Sequence, residues 1–188
     1  MWFEDLQGTL DQVWAEFARG SVTSGVPANR PTLATTGEDG WAEVRTVVLR
    51  ASRKVERALE FYTDARSRKV AELTADPRCS LHVWDPRKSL QIRAHGIAAL
   101  SCETDLARDR WASVPVHARF AYQLRADPGA ALGGADDADP LESLDDTHFT
   151  VVTVTLTEID ALHLARGGHR RSQHVWQDGG WDSVWLVP

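Results

Sequence analysis

Three short turn sequences, each set between strand-like runs, do most to limit what this chain can fold into. Gly37-Glu38-Asp39-Gly40 lies between residues 32–36 and 41–50, and Asp85-Pro86-Arg87-Lys88 between 79–84 and 89–100. Asp178-Gly179-Gly180 lies between 170–177 and 181–187. Glycine, proline and aspartate supply the backbone angles and local hydrogen bonds of tight turns. Each flanking pair is therefore predicted to be an antiparallel hairpin. Residues 59–63 and the β-branched run 149–156 read as further strands, with 158–164 extending or following the latter. The strands do not alternate with helices as βαβ units would. The predicted fold is mainly β, an antiparallel barrel or sandwich with helices on its flanks.

The helices are few. Leu6, Leu10, Val13, Trp14 and Phe17 recur at helical spacing within residues 4–19. Residues 20–31, rich in Gly, Ser and Pro, read as a loop. A second helix is predicted from Ser67 to Ala75, ended by Asp76-Pro77. Residues 104–114 and 116–125 read as helices parted by Pro115. A mobile acidic loop is predicted over 127–147. It carries Asp127, Asp136, Asp137, Asp139, Glu142, Asp145 and Asp146 with no Lys or Arg, and has little to bury. The 188 residues suffice for one core, and a single domain over 1–188 is expected.

Charge and cysteine usage limit the function classes. The net charge of −6 argues against a nucleic-acid partner. The carboxylates of the acidic loop account for that charge, so the remainder is near neutral and can hold a local cationic pocket. Cys79 and Cys102 lack metal-ligand spacing and read as free thiols. The seven histidines are scattered, and no metal is expected. Met1-Trp2-Phe3-Glu4-Asp5 lacks the pattern of a signal peptide, and no apolar run is of membrane-spanning length. A cytoplasmic location is expected. Of the eight tryptophans, Trp176, Trp181 and Trp185 in the last hairpin read as core or interface.

One segment points to chemistry. Arg66, Arg68 and Lys69 crowd the predicted helix start at Ser67. Cations there oppose the helix dipole, whose N-terminal end is already positive. Free N–H groups, the Ser67 hydroxyl and these cations together make a phosphate cradle. Arg45 adds a cation from a second segment, where strand alternation puts it on one face with Val47 and Leu49. Thr63 adds a hydroxyl, and Gln91 offers an amide able to bond the edge of a heteroaromatic ring.

In order along the chain, Arg45-x-x-x-Leu49-Arg50, Phe61-Tyr62-Thr63-x-x-x-Ser67-Arg68-Lys69-x-x-x-Leu73, Pro86-Arg87-x-x-Leu90 and Gln91-x-x-x-x-Gly96 resemble the pyridoxamine 5′-phosphate oxidase family. The resemblance implies an FMN-binding split β-barrel working as a homodimer with the cofactor site at the interface. It implies that Arg45, Ser67, Arg68 and Lys69 hold the FMN phosphate beside Thr63. Backbone of Thr46, Val47 and Val48, with Tyr62, would line the flavin, and Gln91 would approach it, the second subunit being one source. It also implies an oxidoreductase in which a small substrate passes a hydride to the flavin. Arg50 and Arg170 fall at substrate-contacting positions. There the chain departs from the oxidases, which have lysine in place of Arg50. Their C-terminal Arg-x-His-x-Arg reads here as Arg170-Arg171-Ser172-Gln173-His174. His174, at the final arginine's place, reads as either a flavin donor or a polar surface residue. A deazaflavin or haem on the same fold, and a non-catalytic flavin-binding protein, remain open alternatives.

Overall fold

The computed structural model describes residues 1–135, 137–141 and 145–188. Nine strands form one antiparallel sheet: β1 (Thr32–Thr36), β2 (Ala42–Thr46), β3 (Leu49–Arg53), β4 (Ala58–Asp64), β5 (Arg78–Asp85), β6 (Leu90–Cys102), β7 (Phe149–His163), β8 (Arg170–Gln177) and β9 (Gly180–Leu186). The helices are α1 (Leu6–Val22), α2 (Arg68–Ala75), α3 (Asp105–Ser113) and α4 (Val116–Arg119). The mainly β reading and all three hairpins are borne out.

The strand order is β2-β1-β5-β6-β7-β4-β3, with β8 and β9 continuing from β7. The two ends of that path, β2 and β3, are consecutive in the chain and separated only by Val47 and Val48. The sheet must therefore curl until its edges meet, which makes a barrel split at that crossing. This corrects the expectation of one strand over 41–50. β2 pairs with β1 and β3 with β4. At the crossing, the Val47 N–H bonds the carbonyl of Pro31 at 3.0 Å, the last bond in the β1–β2 register before the chain passes to β4. Burial still alternates through the break, so the sequence pattern alone does not reveal it.

Helix α1 starts where the Asp5 carboxylate accepts from the Gly8 N–H at 2.6 Å, an N-cap. Its Leu10, Val13 and Phe17 plug the barrel against Leu33, Leu59 and Leu81, all buried. Each such side chain contributes about 1.5–3 kcal/mol when removed from water. The helix runs three residues past its expected end at 19, to Val22. The expected helix over 116–125 is only α4 followed by a 3-10 turn, Phe120–Tyr122. A smaller core of Trp111, Phe149 and Val151 lies outside the barrel, with Tyr62 and Tyr122 against it.

β6 and β7 are the long strands that carry both ends of the molecule. β7 is continuous through 158–163, pairing first with β4 and then with β8. Their ladder shifts register between His95 and Gly96. A Cβ on Gly96 would sit 2.6 Å from the Thr155 carbonyl oxygen, so the strands approach there only because the residue is glycine. Within the acidic segment, Asp136 and Glu142 lie outside the described residues. The described part is tied at Leu124↔Pro140 and by an Arg125–Asp139 ion pair of 2.8 Å.

Candidate functional site

The end of β4 and the start of α2 bring together most of the cradle residues. Ser67 precedes α2 with extended backbone, yet its hydroxyl does not cap the helix. It donates to the Asp64 carbonyl at 2.7 Å and lies 3.1 Å from the Thr63 hydroxyl. The first N–H groups of α2 are thus left without a side-chain cap. Lys69 turns back to donate to Thr63 Oγ1 at 3.0 Å. Burial, and next the charge of Arg45, push the Lys69 ammonium below the usual lysine range.

Arg45 reaches the same helix from β2. Its Nη2 donates to Glu72 Oε2 at 2.6 Å, and its Nη1 donates to Thr35 Oγ1 and, at 3.1 Å, to the Glu43 carbonyl. Thr35 in turn donates to Glu72 Oε2 at 2.5 Å. Sequence reasoning passed over both Thr35 and Glu72. The available signal was helical spacing, which puts Glu72 one turn after Lys69 on one face of α2.

The remaining cations of the segment differ. Arg66 faces away from the cradle, paired with Asp64 at 2.7 Å and with Asp127 at 3.3 Å. The Arg68 side chain is 76% exposed and, among the described residues, pairs with Glu43 at 3.6 Å. Arg68 thus stands at the rim, while Arg45 and Lys69 form the wall.

Tyr62 and Thr63 are neighbours on a strand and point to opposite faces. The Tyr62 ring packs on Phe149 at 5.0 Å, and Arg50 lies over it at 5.7 Å. Burial, and then Glu60, push its phenol pKa up. Arg50, Tyr62, Ser113 and Pro115 line a recess of about 210 Å³ on that side. The Tyr62 ring is therefore on the face opposite the Thr63 hydroxyl. At the crossing, Thr46 is exposed, Val48 half-buried and Val47 buried.

Gln91 and Arg170 lie elsewhere. Thr63 is opposite Thr150, which is opposite Cys102 at one end of β6. Gln91 is near the other end of β6, opposite Trp84 and Leu162, on the order of 35 Å away along an extended strand. Arg171, opposite Leu162, shares that row and is held by Asp160 at 2.8 Å. Arg170 is on the other face, its guanidinium 5.3 Å from the Phe3 ring centroid, with His163 opposite it across the ladder. His174 is not at the surface. It is fully buried, with Nε2 3.0 Å from the Ser172 hydroxyl and Nδ1 2.8 Å from that of Ser183. Burial lowers its pKa to about 4. Among the described residues no cluster of His, Cys, Asp or Glu could hold a metal ion.

A family model described as pyridoxamine 5′-phosphate oxidase, FMN-binding domain, matches residues 11–102. The pyridoxine/pyridoxamine 5′-phosphate oxidase of Thermosynechococcus vestitus is 40% identical over 68 residues, covering 36% of this chain and 31% of that protein. Its counterpart in Myxococcus xanthus is 28% identical over 189 residues, covering 92% and 87%. Against relatives that are 33–40% identical the match spans 31–55% of their own length. The crystal structure of a pyridoxamine 5′-phosphate oxidase-related, FMN-binding protein from Nostoc punctiforme superposes with a TM-score of 0.76 at 24% identity, covering 95% of this chain and 96% of that one. That likeness establishes the split-barrel fold.

Proposed function

We propose that this chain, a relative of the pyridoxamine 5′-phosphate oxidases with their split-barrel fold, binds FMN as an oxidoreductase and does so as a homodimer. The observation that carries the reading is the convergence of Lys69, Thr63 and Ser67 at the uncapped start of α2, with Arg45 held on the next turn by Glu72. Hydroxyls, cations and backbone donors of that kind fit a phosphate monoester. Lys69 and Arg45 would hold its oxygens, Ser67 and Thr63 would donate hydroxyl bonds, and Arg68 would close the rim. Backbone at Thr46–Val48 would flank the ring. Bound there, the flavin would supply two-electron transfer between a small organic substrate and an acceptor. The protein's part is to orient the ring, keep water from one face and neutralise the phosphate.

The distance between Gln91 and the Thr63 row along β6 supports the dimer, in which Gln91 would approach the ligand from the second subunit. Trp41 is 74% exposed, and Val44, Trp84 and Ile97 are also exposed on the β2, β5 and β6 side. Large apolar side chains outside the core are what an interface between copies would cover. The free thiols Cys79 and Cys102 suit a reducing compartment such as the cytoplasm. No helix among the described residues is long and apolar enough to cross a membrane.

Purified protein tests this directly. A flavin spectrum, with FMN mass on denaturation and a dimer in sedimentation, is the expected result. Colourless protein without FMN affinity would sink the assignment, and a haem or deazaflavin spectrum would replace it. A non-catalytic flavin carrier is the second reading. It is favoured by Arg170 lying against Phe3 instead of facing the Gln91 row. Bleaching by NADPH, NADH or pyridoxamine phosphate separates enzyme from carrier.

A further inference from the structure

We propose that Glu72 is the positioning residue of the phosphate cradle, fixing the Arg45 guanidinium across Thr35 so that it meets the ligand already oriented. This rests on the phosphate reading of the site and assigns a role to a residue of the opposite charge. Glu72 is only 4% exposed. One of its oxygens, Oε2, receives both Thr35 at 2.5 Å and Arg45 at 2.6 Å. With the Thr35 hydroxyl and the Glu43 carbonyl, Arg45 is held at three acceptors from three segments. Those bonds use both hydrogens of Nη1 and one of Nη2, and leave the second Nη2–H and the Nε–H to donate elsewhere. A guanidinium pinned in this way loses little freedom when a phosphate arrives, and that loss otherwise subtracts from affinity.

The carboxylate has a second effect on the same site. Arg45 and Lys69 repel one another, and that repulsion works against the Lys69 charge, whereas Glu72 supports it. Lys69 and Glu72 are one turn apart on α2, so a single helix face carries the ligand-binding cation and the carboxylate that steadies its neighbour. Glu72 Oε1 is buried without a hydrogen-bond partner among the described residues. An acceptor left unsatisfied in the interior costs stability. Its burial beside Arg45 and Lys69 fits a carboxylate that orders those two cations.

The experiment compares Glu72→Gln, Arg45→Ala and the double variant with the wild type. Binding of FMN and of riboflavin, which lacks the phosphate, is titrated by fluorescence. Inorganic phosphate is titrated by the NMR shifts of the Ser67–Lys69 amides. Glu72→Gln is expected to weaken FMN about tenfold, the scale of one charge-assisted hydrogen bond, and leave riboflavin unchanged. Added to Arg45→Ala it should cost far less than it does alone, because the residue it positions is gone and only its support of the Lys69 charge is left to lose. Unchanged FMN affinity, an equal loss for riboflavin, or full additivity overturns the proposal. If Glu72→Gln does not fold, Thr35→Ala removes the bridging hydroxyl and should show the same phosphate-selective loss, and no such loss overturns the proposal too. Wild type that binds inorganic phosphate in a Glu72-dependent way but not FMN refutes the FMN reading and leaves this role standing. Wild type that binds neither overturns both.

Discussion

The two ends of the β6–β7 ladder use cations in opposite ways. At the Gln91 end, Arg93 and Arg171 converge on the buried Asp160 at 2.7 and 2.8 Å, and Arg170 lies on an aromatic ring. The arginines there are already engaged within the chain. At the α2 end, the hydrogen bond of Lys69 goes to a neutral hydroxyl, and Arg45 shares one carboxylate with Thr35. Among the described residues the Lys69 ammonium meets no carboxylate, whereas Arg93 and Arg171 are both fixed on Asp160 and Arg170 on a ring. Under the proposed FMN site the phosphate would go to α2, where Lys69 is free to turn to it, while the far end would offer shape, an amide and packing.

The largest expected effect tests the far end, where His174 is part of the packing. A histidine whose folded pKa lies near 4, below the ordinary 6.5, is neutral in the fold and gains a proton on unfolding. The unfolded state then binds more protons between those values, so stability falls as pH drops from about 6.5 to about 4 and is flat above. The full loss is about 3 kcal/mol for a shift of that size. Urea denaturation against pH should show it, and His174→Gln, which keeps polar contact to Ser172 and Ser183, should flatten the curve. A wild-type profile already flat over this range would mean that His174 is not buried in solution and could belong to the ligand site.

The next effect tests the α2 end. Lys69→Ala should weaken FMN by about 1.5–3 kcal/mol, as for one charge-assisted bond in a partly buried site. Fluorescence titration of FMN and riboflavin would place the loss on the phosphate. Because burial lowers the Lys69 pKa, FMN affinity should also decline with rising pH sooner than an ordinary lysine near 10.4 would dictate. A pH-independent Kd up to that value, or an unchanged Kd in Lys69→Ala, would move the phosphate away from α2.

A mixing experiment asks whether the two ends meet across subunits. Lys69→Ala and Gln91→Ala proteins, each weakened for FMN, are unfolded together and refolded. If Gln91 serves the partner's cradle, a mixed dimer has one site carrying both substitutions and one intact, so wild-type affinity returns in part. If both residues serve one ligand within a chain, every site in the mixture stays defective. Recovery of about a quarter of the sites follows from random pairing of equal amounts into dimers, the commonest symmetric assembly.

The two ends also differ in how much of them the sequence discloses. The α2 end is local: Thr63, Ser67 and Lys69 lie within two turns of chain, and the wrong-signed cations at a helix start mark them. The hairpins are legible for the same reason, since glycine and aspartate act on adjacent residues. Long-range pairing is not visible. Val47 and Val48 keep the alternation of one strand while the chain changes partners from β1 to β4. His174 reads as a flavin donor or a surface histidine until the β8–β9 register sets Ser183 opposite it. Arg45 looks available for a ligand until the fold brings Glu72 to it from 27 residues away.

The smallest expected effect separates the rim of the cradle from its wall. Family spacing treats Arg68 and Lys69 alike, but the structure does not. Arg68 is solvated and within 3.6 Å of Glu43, while Lys69 is half-buried against Thr63. An exposed ion pair is worth about 0–1 kcal/mol and is screened by salt. Arg68→Ala should therefore weaken FMN by less than about 1 kcal/mol, with a loss that shrinks at high ionic strength. The Lys69→Ala loss should persist there, because a buried contact is screened much less. A larger and salt-insensitive effect of Arg68→Ala would mean that this side chain folds inward over the phosphate on binding, and that the exposed rim position belongs to the ligand-free cradle alone.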